Sequence, residues 1–301
     1  MRTINPAELK PQEFYRYLIS TIGPRPIAFA STIDARGNVN LSPFSFFNVF
    51  GYNPPTLVFA PSRNRHGHKK HTLLNVEEVP EVVINVVNHA MVEQMSLASA
   101  EFERGINEFE KAGFTAVSSD KVRPPRVAES PAAYECVVKQ IIETGEGDAS
   151  LRPGAGALVI CEVVMGHFRD EIFDQTGAIV QARVDLVGRL GGDFYSRANA
   201  DALFEVSRPQ PGVGVDALPA SVRSSHILTG NDLGKLGSVA QLPTPDAVAQ
   251  YRESGVLDAL FDEARHGCQY LPDLLHLRAK QLLAQNNVPA AWLTLLQAGR
   301  S

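Results

Sequence analysis

Runs of β-branched and aromatic residues recur along the first two thirds of the chain with little helix between them, and this pattern constrains the fold most. Parallel strands need crossover connections of a dozen or more residues, usually helical, whereas antiparallel strands are joined by short turns. Residues 26–32 read as a strand, because Pro24 and Pro26 end a short helix expected over 14–22 and an apolar run follows. Asp34-Ala35-Arg36-Gly37-Asn38 has turn chemistry, so residues 39–42 return antiparallel and complete a hairpin. Residues 56–60 form a further strand behind the rigid Asn53-Pro54-Pro55. Apolar residues at helical spacing over 72–79 precede a β-branched strand at 81–87, and two more helices are expected near 91–98 and 108–112. Long strand signals return at 134–143 and 157–168, separated by the Gly-rich stretch 145–156. The expected fold is mainly β with helices, an antiparallel barrel rather than a doubly wound parallel sheet.

The composition changes at Arg208-Pro209-Gln210-Pro211-Gly212, a stretch of chain breakers that reads as a linker. It divides a barrel domain, 1–208, from a helical extension, 209–301. Helices are expected over 245–266 and 272–286, each beginning near a proline and ending near Gly or Asn.

A net charge of -5 gives no overall basic field to attract nucleic acid or an anionic membrane, so any anion site must be local. The first residues carry no apolar run of signal-peptide length, and no later segment approaches the roughly 18 apolar residues of a membrane span, so a cytoplasmic location is expected. Cys136, Cys161 and Cys268 lie far apart with no C-x-x-C pair, which argues for buried free thiols over a disulfide framework or thiolate metal site.

Gly212-Val213-Gly214 lacks the strand-to-helix context of a dinucleotide fingerprint, and there is no Walker A loop. The most informative local feature is the loop from Ser62 to Thr72, which packs Arg63, Arg65, Lys69, Lys70 and three histidines just ahead of a helix. Helix N-terminal N–H groups, a lysine and a threonine hydroxyl together satisfy a phosphate. The alternative is a solvated basic loop. His66, His68 and His71 also invite a metal, but the interleaved arginines and lysines repel a divalent ion and no carboxylate is nearby in sequence, so no metal is expected. In Pro43-Phe44-Ser45-Phe46-Phe47-Asn48, aromatic residues are bracketed by hydrogen-bonding groups, as the site of a flat heteroaromatic ring requires, although core packing accounts equally for Phe44. No nucleophilic triad and no outstanding carboxylate pair is present, which leaves cofactor-driven chemistry favoured over a hydrolase.

Pro24-Arg25-Pro26-Ile27-Ala28-Phe29-Ala30-Ser31-Thr32 and Gly37-Asn38-Val39-Asn40-Leu41-Ser42-Pro43-Phe44-Ser45-Phe46-Phe47-Asn48 resemble the opening of the flavin reductase-like, flavoredoxin-like FMN-binding split-barrel proteins. The similarity continues through Asn53-Pro54-Pro55, Lys70-His71-Thr72, Phe109-Glu110-Lys111-Ala112-Gly113, Pro124-Pro125-Arg126-Val127, Glu129-Ser130-Pro131 and Arg189-Leu190-Gly191-Gly192. The resemblance implies a six-stranded, antiparallel, Greek-key-like split β-barrel that forms a homodimer with one FMN per barrel, the C-terminal helical extension lying outside the shared domain. It implies that the FMN phosphate meets Ser31 or Thr32, Ser62, Arg63, Lys70 and Thr72, that the ring lies along Ser45, Phe46, Phe47 and Asn48, and that Ser99 and Tyr195 border the ring. Two positions depart from the family pattern: His71 stands where relatives commonly carry aspartate, and Ala98 where a hydroxyl residue is common.

Two activities fit that resemblance. One is an oxidoreductase in which NADH or NADPH reduces bound FMN, which then reduces a second flavin or another acceptor. The other is an FMN-bearing electron carrier serving a redox partner protein, or a flavin-binding module without reductase activity. No general base is assigned, because hydride transfer to a flavin depends first on proximity and electrostatics.

Overall fold

The computed structural model describes residues 1–64, 66–144, 152–206, 208, 211–267 and 270–299. Its contacts divide the chain into two units, Met1–Phe204 and Glu205–Ser301. Arg65, residues 145–151, Pro209, Gln210 and Cys268, on which parts of the sequence-based expectations fall, lie outside the described residues.

The first unit opens with helix α1 (Pro11–Thr21), followed by β1 (Ala28–Ile33), β2 (Val39–Phe44), β3 (Phe47–Tyr52) and β4 (Pro55–Phe59). Next come α2 (His71–Glu78), β5 (Glu81–Val86), α3 (Val92–Leu97) and α4 (Glu108–Ala112). Two short strands, β6 (Ala116–Val117) and β7 (Arg126–Val127), pair with each other ahead of the long β8 (Ala132–Glu143) and β9 (Ala157–Phe168). A turn of helix, α5 (Gln181–Val184), and the hairpin of β10 (Val187–Arg189) and β11 (Tyr195–Arg197) complete the unit.

The main sheet has the order β2-β1-β5-β8-β9-β4-β3, and all its pairs are antiparallel. Seven flat strands would hold the outer two roughly 29 Å apart at the usual spacing. Here the outer two, β2 and β3, are consecutive in the chain, joined by Ser45 and Phe46 alone, a link that reaches no more than about 11 Å. The sheet therefore curls until its edges meet at one end and stays open along the β2/β3 seam. This is a split barrel. Seven strands stand where the family resemblance implies six, because the Ser45-Phe46 break divides the run 39–52 into two strands at opposite edges of the sheet.

β1 is buried along its whole length, so each of its faces meets a different core. Ala28 and Ala30 pack inside the barrel with Phe44, Phe59, Ile84, Cys136 and Cys161, closed by Leu73 and Val76 of α2. Phe29 packs on the other face with Leu41, Met95, Phe109 and Phe114, which anchors α3 and α4 against β2. α2 buries Thr72, Leu73, Asn75 and Val76, the spacing of one helical face, and this fixes its N-terminal turn over β1 and β2.

The second unit is helical: α6 (Ala220–Arg223), α7 (Gly230–Gly237), α8 (Pro245–Glu253), α9 (Asp258–His266), α10 (Leu271–Ala284) and α11 (Val288–Leu295). Its own core gathers Leu236, Ala279, Leu283, Trp292 and Leu295, and the Trp292 indole donates to the Leu236 carbonyl at 3.1 Å. Residues 245–266 form two helices rather than the single one expected, since Gly255 adopts φ +73°, a left-handed conformation that ends α8. No helix among the described residues is long and apolar enough to cross a membrane.

Candidate functional site

Two neighbouring cavities open where α2, α3, β2 and the β10–β11 hairpin converge. The larger, about 770 Å³, is lined by apolar Ile27, Val92, Met95 and Val187 and by polar or charged Ser45, His89, Glu93, Ser99, Arg189, Asp193, Tyr195 and Arg197 among others. The smaller, about 90 Å³, is lined by Asn40, Lys70, His71, Thr72, Ser99 and Glu108 among others. Ser99 lies on the wall of both, so the pair forms one recess with an amphipathic body and a polar end.

The polar end is built on the first turn of α2. Lys70 is its N-cap residue, and the Lys70 carbonyl accepts from the N–H groups of Leu73 and Leu74. The first N–H groups of an α-helix have no intrahelical acceptor and form a ready anion site. Thr72 is buried, and its Oγ1 accepts from Asn40 Nδ2 at 2.9 Å. Lys70 Nζ stands 3.4 Å from Glu101 Oε1, while Lys69 pairs with Glu77 and Glu143. Burial, with Arg104 and Lys70 close by, holds the His71 imidazole below its ordinary pKa, which favours the neutral ring.

Of the Arg189-Leu190-Gly191-Gly192 segment, Arg189 lines the larger cavity, together with Asp193 and Tyr195 from the same hairpin. The segment forms the tight turn of the β10–β11 hairpin, with Gly192 at φ +56° and Arg189 opposite Tyr195 in the pairing register. The Arg189 guanidinium stacks 4.5 Å above the centre of the Tyr195 ring. Arg25 fixes this hairpin: its backbone exchanges two 2.9 Å hydrogen bonds with Arg189, and its guanidinium donates to the carbonyls of Ile19, Ile22 and Leu190. The Pro-Arg-Pro segment and the Arg-Leu-Gly-Gly segment, 165 residues apart, thus act as one clamp.

Of the residues singled out from sequence, Ser45, Lys70, Thr72, Ser99 and Tyr195 line this recess. Ser31 and Thr32 are fully buried in β1 and line neither cavity; Thr32 Oγ1 accepts from Asn75 Nδ2 at 3.2 Å, and Ser31 Oγ has no hydrogen-bond partner among the described residues. Phe46 and Asn48 are exposed at the seam, where Phe46 meets Tyr15 edge-on and the Asn48 side chain accepts from the Val49 N–H. Phe47 packs against the barrel core from β3. Ser62 bridges Gly156, and Arg63 donates to the Gly67 carbonyl and lies 3.6 Å from Glu143. Ser62, Arg63 and residues 46–48 therefore sit outside the described walls of both cavities. Asn40, Glu101, Glu108 and Arg189 line the recess without having been assigned to it from sequence; of these, Asn40 and Arg189 lie inside segments that carry the family resemblance, and Glu101 and Glu108 do not.

Among the described residues, His66, His68 and His71 are not found as a group whose ring nitrogens lie within reach of one ion. The cluster of metal-ligand type found among the described residues is Asp120, Glu135 and His167, and there Glu135 already accepts from three backbone N–H groups and meets His167 at 2.6 Å.

The model of the flavin reductase like domain matches residues 22–184, more than half of the chain. This chain belongs to the flavin reductase-like family. A relative of unassigned function from Halalkalibacterium halodurans is 36% identical over 206 residues, which is 68% of this chain and 96% of the relative. Among solved structures, nitrilotriacetate monooxygenase component B from Bacillus cereus is similar at 29% identity and TM-score 0.63, covering 68% of this chain and 98% of that one. The 2-nitrobenzoate 2-nitroreductase of Pseudomonas fluorescens is 30% identical with TM-score 0.61, covering 71% and 100%. The flavin reductase-like chain thus shares its fold with proteins named as a monooxygenase component and a nitroreductase.

Proposed function

We propose that the chain is an FMN-dependent oxidoreductase that takes electrons from NADH or NADPH. One observation carries this reading: an amphipathic cavity of about 770 Å³ adjoins, through Ser99, a polar end built on a helix N-terminus with Lys70 and Thr72. A flavin mononucleotide has the matching division, a broad ring at one end and a phosphate at the other. Lys70 Nζ and the first N–H groups of α2 hold the phosphate, and Thr72, whose hydroxyl already accepts from Asn40, keeps its own proton to donate.

Along the ring, Ile27, Val92 and Met95 supply apolar contact, while Ser45, Ser99 and Tyr195 offer hydrogen-bonding groups at its edge. When bound, FMN would supply the redox chemistry that links a reduced nicotinamide to a second flavin or another acceptor. The contribution of the protein would be to hold the ring beside these groups and limit water around it. No side chain is required as a general base.

The chain works as a homodimer in the cytoplasm. β3 is an edge strand whose Val49, Phe50 and Tyr52 side chains are 64%, 70% and 93% exposed, an apolar edge that a second copy covers.

The decisive test is anaerobic absorbance of the FMN-loaded protein after addition of NADH or NADPH. Rapid bleaching supports the reductase. Absence of bleaching with both, together with rapid exchange with a reduced carrier protein, overturns it in favour of electron transfer.

A further inference from the structure

Glu108 is 4% exposed, yet it is a carboxylate on the wall of the cavity assigned above to phosphate. Its placement follows from the fold. β2 is an edge strand, and α4 delivers Glu108 Oε2 to the outward Leu41 N–H at 2.9 Å, capping a donor that the sheet leaves unpaired.

The charges around it are balanced before any phosphate arrives. From α2 and the residues preceding it come Lys69, Lys70 and His71; from the segment after α3 comes Glu101; β2 contributes the neutral Asn40 and Ser42. Lys69 is engaged by Glu77 and Glu143, and Lys70 by Glu101, while no ion pair reaches Glu108 among the described residues. Burial raises the Glu108 carboxyl above its ordinary pKa, against the opposing pull of the Leu41 N–H and of its own backbone N–H. A phosphomonoester brings close to two negative charges at neutral pH. Setting it beside a buried, unpaired carboxylate is electrostatically prohibitive, whereas a protonated carboxyl becomes a hydrogen-bond donor.

Resting on the FMN reading above, we propose that Glu108 is a phosphate-binding residue that takes up a proton from solvent as the phosphate enters and donates its O–H to a phosphate oxygen. Flavin mononucleotide binding is then coupled to proton uptake, and riboflavin binding is not. Above the second phosphate pKa of about 6 the free ligand is a dianion, so the phosphate contributes little of the pH dependence between pH 7 and 8.

The test is calorimetric titration of the full-length apoprotein with FMN at pH 8 in two buffers of different ionisation enthalpy, repeated with riboflavin. The wild type takes up about one proton per FMN and none per riboflavin, and its FMN affinity falls up to about tenfold from pH 7 to pH 8. Glu108→Gln, which retains an acceptor for Leu41 and offers a neutral donor, loses both the uptake and the pH slope. His71→Asn, which removes the imidazole on the same wall, keeps them. No uptake by the wild type, unchanged uptake in Glu108→Gln, or uptake abolished in His71→Asn each overturns the proposal. If Glu108→Gln does not fold, the wild-type and His71→Asn titrations still decide. A Lys70→Ala variant separates the two levels: FMN weakened and riboflavin unaffected upholds the phosphate site even where the Glu108 result fails, whereas no selective effect removes the site itself.

Discussion

Asn40 Nδ2 donates to Thr72 Oγ1 at 2.9 Å, tying β2 to the first turn of α2 across the polar end of the recess. Both side chains are buried, so each would be costly to leave unpaired. Thr72→Val and Asn40→Ala each destabilise the fold by about 1–3 kcal/mol in denaturant unfolding. Because the two share one bond, the double variant costs less than their sum, with a coupling of about 0.5–1.5 kcal/mol. Strict additivity would show that the bond does not contribute in solution.

Gly191 sits against α1: a Cβ there would stand 3.0 Å from Ser20 Cα, a backbone atom that cannot swing away. Gly191→Ala is therefore expected to cost about 1–3 kcal/mol and to displace the hairpin that carries Tyr195. Tyrosine fluorescence and flavin affinity measured beside the unfolding curve check this. An unchanged melting temperature together with unchanged flavin affinity contradicts it.

Glu135 is fully buried beneath the loop that precedes β7. Burial pushes its carboxyl up, but the N–H groups of Asp120, Lys121 and Val122 and the His167 ring together outweigh that and hold it below the usual glutamate value. A depressed folded-state pKa adds stability that is fully present above the unfolded value of about 4.3 and disappears as pH falls through the folded value. Glu135→Gln is expected to lose about 1–3 kcal/mol at pH 7 and to show a shallower acid loss than the wild type below pH 4. Parallel acid-unfolding profiles would contradict the assignment.

Cys136 and Cys161 are buried in the barrel, and burial drives both thiols up, Cys161 to about 12. Thiolate is the reactive form, so neither reacts with a disulfide reagent in the native protein at pH 8. Native wild type and a Cys136→Ala/Cys161→Ala variant should label at equal rates, and two extra labels should follow only on unfolding.

The exposed edge of β3 gives the homodimer a direct test. Phe50→Lys places a charge on an apolar edge strand, a device that blocks strand-edge association. Sedimentation at micromolar concentration should show dimers for the wild type and monomers for the variant. A monomeric wild type carrying one tightly held FMN contradicts the dimer.

The barrel was legible because its signals are local. Residues 157–168 and 108–112 are a strand and a helix with the expected ends, since continuous β-branched runs and apolar spacing need no distant partner to be read. β3 was not, because its first residues, Phe47 and Asn48, belong to a run of aromatic and polar residues that also fits a platform for a ring, and only the sheet order shows that they form an edge strand. Lys70 and Thr72 stood out through Lys70-His71-Thr72 ahead of a helix, and Ser99 and Tyr195 through the family resemblance alone. Glu108 did not: its partner Leu41 lies 67 positions away, and helical periodicity tells that a face is buried, not what it meets.

The proposed contact between Lys70 and the phosphate of FMN is read by fluorescence quenching of FMN and riboflavin titrated into wild type and Lys70→Ala, with circular dichroism confirming the fold. A charge-assisted hydrogen bond contributes about 1.5–3 kcal/mol, so Lys70→Ala is predicted to weaken FMN about tenfold to a hundredfold and to leave riboflavin, which has no phosphate, unchanged. Equal losses for both flavins, or no loss for either, would remove Lys70 from the site and contradict the assignment of the polar cavity to phosphate.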